Sequence, residues 1–441
     1  MIEFFIYAIY GILSLATTIV VRKINWYRLT FVDGLLVGFI FFVSIPLALI
    51  LYSGSFKAPD LFAAAYDPVL NLSTTLNLFI GWIFVLSFKL FWNHHATPNP
   101  IRNTDKTFAS NRLLFDFRLL LVLYLFASFM AFYLSGKTDI GHWMSNSASA
   151  YKDSTLLIFT ANIANVYRTI IFGFLSYLSL TNIFSKLQFL LYGIFIAVLD
   201  LALTFNRITV AYLFIAILIV FRKRILLILL FLIPILPTVT FLSQFWTSIR
   251  GSILNTGYSF VGLMNSIDSS LTSTLATGGA GGTIAANSSG VFETGNIQVF
   301  NYLVNNIPHQ EEILWGWTFF LRPLAVFIPS TLWNGKPRTF GSIIGPHIQN
   351  YEVTLNSTML GEVYGNFYTL WPVALFVMLS IALWCFKSLE NKAPYIGHMA
   401  FFIAFALGRF EINLFIISIV AILMHLQLSR LLISLRKRTN Y

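Results

Sequence analysis

Charged residues make up only 10% of this 441-residue chain, against 57% hydrophobic ones, whereas about a quarter of a soluble domain is charged. A water-soluble fold of this length is excluded. Cysteine is nearly absent: Cys385 stands alone, so no intrachain disulfide and no CxxC-type zinc site can form. Neither His94-His95 nor the separated His309 and His347 has metal-ligand spacing, and no DxD pair is present for a divalent cation. No cofactor and no metal site are therefore expected. The formal charge is +11, but the Lys and Arg lie between apolar runs and form no continuous basic stripe, which argues against a nucleic-acid partner. A cleavable leader is not expected either, because Glu3 precedes the first apolar run and Arg22 and Lys23 follow it, the reverse of a signal peptide. No internal repeat is visible, so the inverted-repeat signature of many secondary transporters is missing.

What the chain has in abundance is apolar runs of membrane-spanning length, for which about 20 mostly apolar residues are needed. They fall at 4–21, 35–52, 76–92, 119–134, 156–184, 187–203, 208–221, 225–242, 370–386, 395–407 and 412–432. Phe (45), Tyr (19) and Trp (10) are frequent, as suits rings in lipid or at the headgroup boundary. The expected fold is all-α, a polytopic transmembrane bundle of about eleven spans. Its parts are N-terminal spans in 1–242, a large outer segment at 243–369 and C-terminal spans in 370–441.

Short loops rich in Lys and Arg stay in the cytoplasm. With the N-terminus outside and the C-terminus inside, 18 of the 28 basic residues share the cytoplasmic side. A further full crossing at 317–333 would move Lys387 and Lys392 outside, so an odd count is favoured. That stretch is only about 25 Å long as a helix and holds Arg322, Pro323 and Pro329, which points to a re-entrant or interfacial element. The Thr277-Gly-Gly-Ala-Gly-Gly-Thr283 run has no following Lys to make a P-loop and reads as a flexible loop.

Ten basic residues remain for the outer face or its approaches, six of them arginines: Arg168, Arg207, Arg250, Arg322, Arg338 and Arg409. Arginine suits two-pronged binding of phosphate, and such a group at the outer end of a bundle suits a lipid-linked diphosphate. The plainer alternative is snorkelling to headgroups or pairing with acids. Arg207 ends the turn Thr204-Phe-Asn-Arg207, and Arg409 lies in Gly408-Arg-Phe-Glu411. Arg168 lies about 18 Å into its helix, and a structural ion pair with Asp200 of the next span is favoured over a substrate contact. Glu362 and Glu411 are candidates for a general base toward a sugar hydroxyl, or for fixing an arginine.

The stretch 315–367 resembles the Wzy-type oligosaccharide repeat-unit polymerases. The resemblance rests on Gly316-Trp-Thr-Phe319, on Pro329 with Trp333, Lys336 and Pro337, and on Ser357-Thr-Met-Leu-Gly-Glu-Val-Tyr364 with Asn366-Phe367. Arg207 also falls where such proteins place an arginine beside a short outer hairpin. The motifs cover about an eighth of the chain; the layout of many spans and one large outer segment covers all of it. Many relatives carry Arg directly after the proline of Pro-x-x-x-Trp, where this chain has Ser330.

The resemblance implies a glycosyltransferase of the bacterial inner membrane, with its active site facing the periplasm. It would transfer a growing glycan from undecaprenyl diphosphate onto another lipid-linked repeat unit, in O-antigen or a related surface polysaccharide. Its partners would be the undecaprenyl-diphosphate-linked oligosaccharides, membrane lipid and a chain-length regulator protein. Expected catalytic residues are Glu362, Arg207 and Arg409, with Arg250, Arg322, Lys336, Arg338, His347, Tyr364 and Glu411 at the diphosphate and glycan. The competing readings are an O-antigen ligase, which passes the glycan to a lipid A core, and a lipid-linked oligosaccharide flippase or other transporter.

Overall fold

A computed structural model describes residues 2–53, 72–95, 106–134, 155–204, 208–224, 264–265, 267–268, 295–309, 311–325, 328, 332–333, 335, 337–349, 354–410 and 412–439. All regular structure among them is helical. The helices are α1 (Ile2–Arg22), α2 (Phe31–Phe39), α3 (Ile45–Ser53), α4 (Leu72–His95), α5 (Lys106–Leu134), α6 (Thr155–Leu180), α7 (Lys186–Thr204) and α8 (Ile208–Val220). After them come α9 (Gly295–Asn306), α10 (Arg322–Ala325), α11 (Phe340–Gln349), α12 (Thr358–Phe367), α13 (Trp371–Glu390), α14 (Ile396–Leu407) and α15 (Asn413–Thr439).

Eight helical stretches are long and apolar enough to cross a membrane, and α8 and α14 are shorter apolar helices. Together they account for ten of the eleven expected runs, while 225–242 lies outside the described residues. The chain is thus an all-α, multi-pass membrane protein. Two boundaries differ from the hydropathy reading. Helix α5 begins at Lys106, well before 119, because Asn111, Arg112, Asp116 and Arg118 continue the helix as polar residues that hydropathy discounts. At its end α6 stops at Leu180, where Asn182 takes a positive φ of 58°. The span expected from 370 starts as a separate helix at Trp371, parted from Thr358–Phe367 at Tyr368, whose φ of 46° and ψ of −119° no α-helix contains.

Helix α2 opens with a capping box: Asp33 accepts from the Thr30 backbone N–H at 2.9 Å, and the Thr30 side chain accepts from Asp33. The same carboxylate pairs with buried Lys89 of α4 at 2.5 Å. Five residues of π-helix, Ile40–Ser44, join α2 to α3.

At the centre stands α14, every residue of which is buried. Glycines let its backbone touch its neighbours: a Cβ on Gly34 of α2 would lie 1.9 Å from the Phe401 carbonyl oxygen, and one on Gly173 of α6 would lie 2.5 Å from that of His398. Stacking of Phe174 on Tyr395 (4.2 Å) and of Phe31 on Phe386 (5.1 Å) fills the rest of the seam.

Packing separates the two ends of the bundle. At one end Lys387 lies over Trp92 (5.4 Å), Arg222 over Tyr27 (3.5 Å) and Lys186 over Phe221 (5.3 Å). This is the basic end. At the other, α9 meets the first turn of α4 through a Thr74–Asn301 hydrogen bond of 2.6 Å, and Trp371 donates to Asn77 at 3.1 Å. The short helices α9 to α12 gather there, and we call it the segment end.

Candidate functional site

Two of the apolar helices, α14 and α8, are shorter than a full crossing. At 1.5 Å per residue α14 spans about 18 Å and α8 about 20 Å, against a hydrocarbon core of about 30 Å. Helix α14 ends beside Gly38, where a Cβ on Gly408 would sit 2.7 Å from the Gly38 carbonyl oxygen. The neighbouring α2–α3 helix continues to Ser53, about 22 Å further along.

Into the space beyond α14 the start of α12 is inserted. Thr358, Met359 and Leu360 face Phe39, Val43 and Leu407 across a small apolar cleft. Thr358 itself has a φ of +62°, costly for a β-branched residue, and its hydroxyl accepts from the Gly361 N–H at 3.3 Å. Tyr368 and Trp315 also have positive φ, so the bends around this site are held by surrounding packing rather than by local preference.

Glu362, on the first turns of α12, is 1% exposed. Its Oε2 accepts the backbone N–H of Ile412 at 2.6 Å, in the α14–α15 turn that also carries Arg409. The expected acid and one expected arginine are thus brought to the same turn. Arg409 is half-buried, with its guanidinium 5.0 Å from the Phe410 ring centroid. Asn366, one turn after Glu362, donates to the Glu362 carbonyl (2.8 Å) and to Thr318 (2.7 Å), while its buried Oδ1 has no hydrogen-bond partner.

Beside the turn lies a buried polar network. Arg168 pairs with Asp200 at 2.9 Å, both side chains almost wholly buried, as expected from the cost of an unpaired intramembrane charge. Arg168 also donates to Asn165, and Asp200 accepts from Tyr124 at 3.0 Å and from Thr209. Tyr212, whose hydroxyl accepts from Thr169 at 3.2 Å, packs on Phe402 and Phe405 of α14 (6.2 and 6.0 Å). Asp200 neutralises Arg168.

The remaining expected residues divide into three groups. Arg322 is buried and donates to the Pro337 carbonyl at 3.1 Å, and Tyr364 packs between Phe300 (5.7 Å) and Tyr368 (5.8 Å), so both hold the short helices together. Arg338 is exposed, as is His347, whose Nδ1 lies 2.6 Å from Glu311. Arg207, Arg250, Lys336 and Glu411 lie outside the described residues.

Sequence reasoning missed Glu311, which also accepts from Tyr302 at 2.7 Å. Burial first, then this hydrogen bond and the Glu311 charge, raise the Tyr302 phenol above its ordinary value, so it stays a donor. Gln298 of α9, buried with both amide atoms unpartnered, was missed too; a polar residue inside an otherwise ordinary helix carries no distinguishing signal. Among the described residues no group of three or more His, Cys, Asp and Glu could hold a metal ion. The chain matches no family model, no curated protein and no solved structure, so residue chemistry and geometry carry the functional reading.

Proposed function

We propose that the chain is a membrane glycosyltransferase that polymerises undecaprenyl-diphosphate-linked oligosaccharide repeat units. The segment end would then face the periplasm of a bacterial inner membrane. The observation that carries the proposal is the meeting of Glu362 with the Arg409 turn, just past the end of the short apolar helix α14. A site at the end of a short apolar helix suits a substrate with one end in lipid and a charged group at the bilayer surface.

Glu362 accepts the proton of the acceptor hydroxyl as that oxygen forms its bond to the donor sugar's anomeric carbon. The bond from that carbon to the diphosphate oxygen breaks, and undecaprenyl diphosphate leaves with the electron pair. Arg409, with Arg207 and Arg250 as the expected further cations, stabilises the added charge. The Ile412 N–H orients the carboxylate, and the Asn366 Oδ1 offers an acceptor to a sugar hydroxyl.

The test is incubation of the purified protein in nanodiscs with lipid-linked repeat units and EDTA. A ladder of glycan lengths is expected. Transfer only to a lipid A core would make the chain a ligase, and movement of the lipid-linked unit across the bilayer without new glycosidic bonds would make it a flippase.

A further inference from the structure

The candidate site uses none of the titratable groups in the basic half of the bundle, and one set of them is built in a way that needs explaining. Asp116 of α5 is 3% exposed. Its carboxylate accepts from the Ser429 hydroxyl of α15 and from the Tyr395 hydroxyl at 3.3 Å, at the start of α14. No basic side chain forms an ion pair with it among the described residues. His425 precedes Ser429 by one turn on the same face of α15, is 1% exposed, and has both ring nitrogens without a hydrogen-bond partner. Helices α5 and α15 pack against each other, so the Asp116–Ser429 bond brings His425 to the same side of that contact.

A buried carboxylate with only neutral donors is costly in a membrane, and so is a buried imidazole with no partner. One proton relieves both: the imidazolium gains an anion and the anion gains a cation. We propose that Asp116 and His425 form a binding site for one exchangeable proton in the basic half of the bundle. With the proton bound, the pair is a carboxylate and an imidazolium, linking α5 to α15. Without it, the carboxylate keeps its two hydroxyl donors and the ring is neutral, the proton having gone to water at the basic end. Access is short, since exposed Arg112 lies one turn from Asp116 and exposed Arg430 follows Ser429.

Other titratable groups on helices packed against α15 have contacts of their own. Arg112 and Arg430 are exposed, Tyr177 meets His398 edge-on at 5.3 Å, Lys387 covers Trp92, Arg168 holds Asp200, and the Glu390 carboxylate borders Gly397.

The test is a pH titration of the full chain in nanodiscs with isotope-labelled histidine, read by ring chemical shifts, with His425→Gln assigning the signal. Asp116→Asn keeps an acceptor for Ser429 and Tyr395 but removes the charge, and it is expected to lower the His425 midpoint by about one pH unit or more. A midpoint unmoved by Asp116→Asn overturns the proposal and leaves Asp116 a purely structural tie. Should Asp116→Asn fail to fold, potentiometric proton counts between about pH 3 and 8 decide. His425→Gln is expected to take up one proton fewer than the native chain, and equal counts overturn the proposal.

Discussion

Arg168 and Asp200 show how one side chain fixes the chemistry available to its neighbours. Their ion pair, with Tyr124 and Thr209 on the carboxylate, takes Arg168 out of the pool of cations that an anionic substrate would meet. Removing one partner of a buried pair leaves the other uncompensated, so Asp200→Ala is expected to cost about 3–5 kcal/mol. Thermal unfolding in detergent measures it, and the Arg168→Ala/Asp200→Ala double variant should recover part of the loss. Glu362 behaves differently, because a glutamine there still accepts the Ile412 N–H. Glu362→Gln is therefore expected to unfold near the native temperature. The pair was legible in the sequence because charges inside apolar runs must find each other. The Glu311–His347 contact, 36 residues apart in loops and short helices, was not, since nothing local marks either residue.

Among the elements, α14 has the greatest structural consequence for its size. Its twelve residues are all buried, and it meets α2 and α6 backbone to backbone at Gly34 and Gly173, where a methyl group has no room. Overpacking at such contacts costs typically about 1–3 kcal/mol; Gly34→Ala and Gly173→Ala are each expected to lower the thermal midpoint, whereas Gly11→Ala, which meets nothing within 4 Å, should not. Hydropathy located α14 at 395–407 and could not show what its shortness does. Only the packing reveals that it ends level with Gly38 and that α12 fills the space beyond. The separation of α12 from α13 was legible, since Gly361, Glu362, Gly365 and Asn366 interrupt the apolar pattern before 370; the positive φ at Tyr368 that makes the bend, held by tertiary contacts, was not.

At the scale of the whole molecule, the basic clusters gather at one end of the bundle and the short helices at the other. Under the positive-inside rule the basic end is expected to face the cytoplasm. With Cys385 changed to Ser, a cysteine introduced at exposed Arg338 is expected to react with a membrane-impermeant maleimide on intact spheroplasts. One at exposed Lys223 should react only after permeabilisation, and the reverse pattern would invert the orientation. The spans were readable because length and apolarity are local properties. The meeting of Glu362 with the Arg409 turn joins residues 50 apart and required the fold. Glycan elongation by the purified native chain and by Glu362→Gln, compared on one gel, tests the central claim most directly. The account predicts a ladder from the native chain and at least about a tenfold slower one from a folded Glu362→Gln, as expected for loss of a general base; equal ladders, or none from the native chain with authentic substrate, would contradict it.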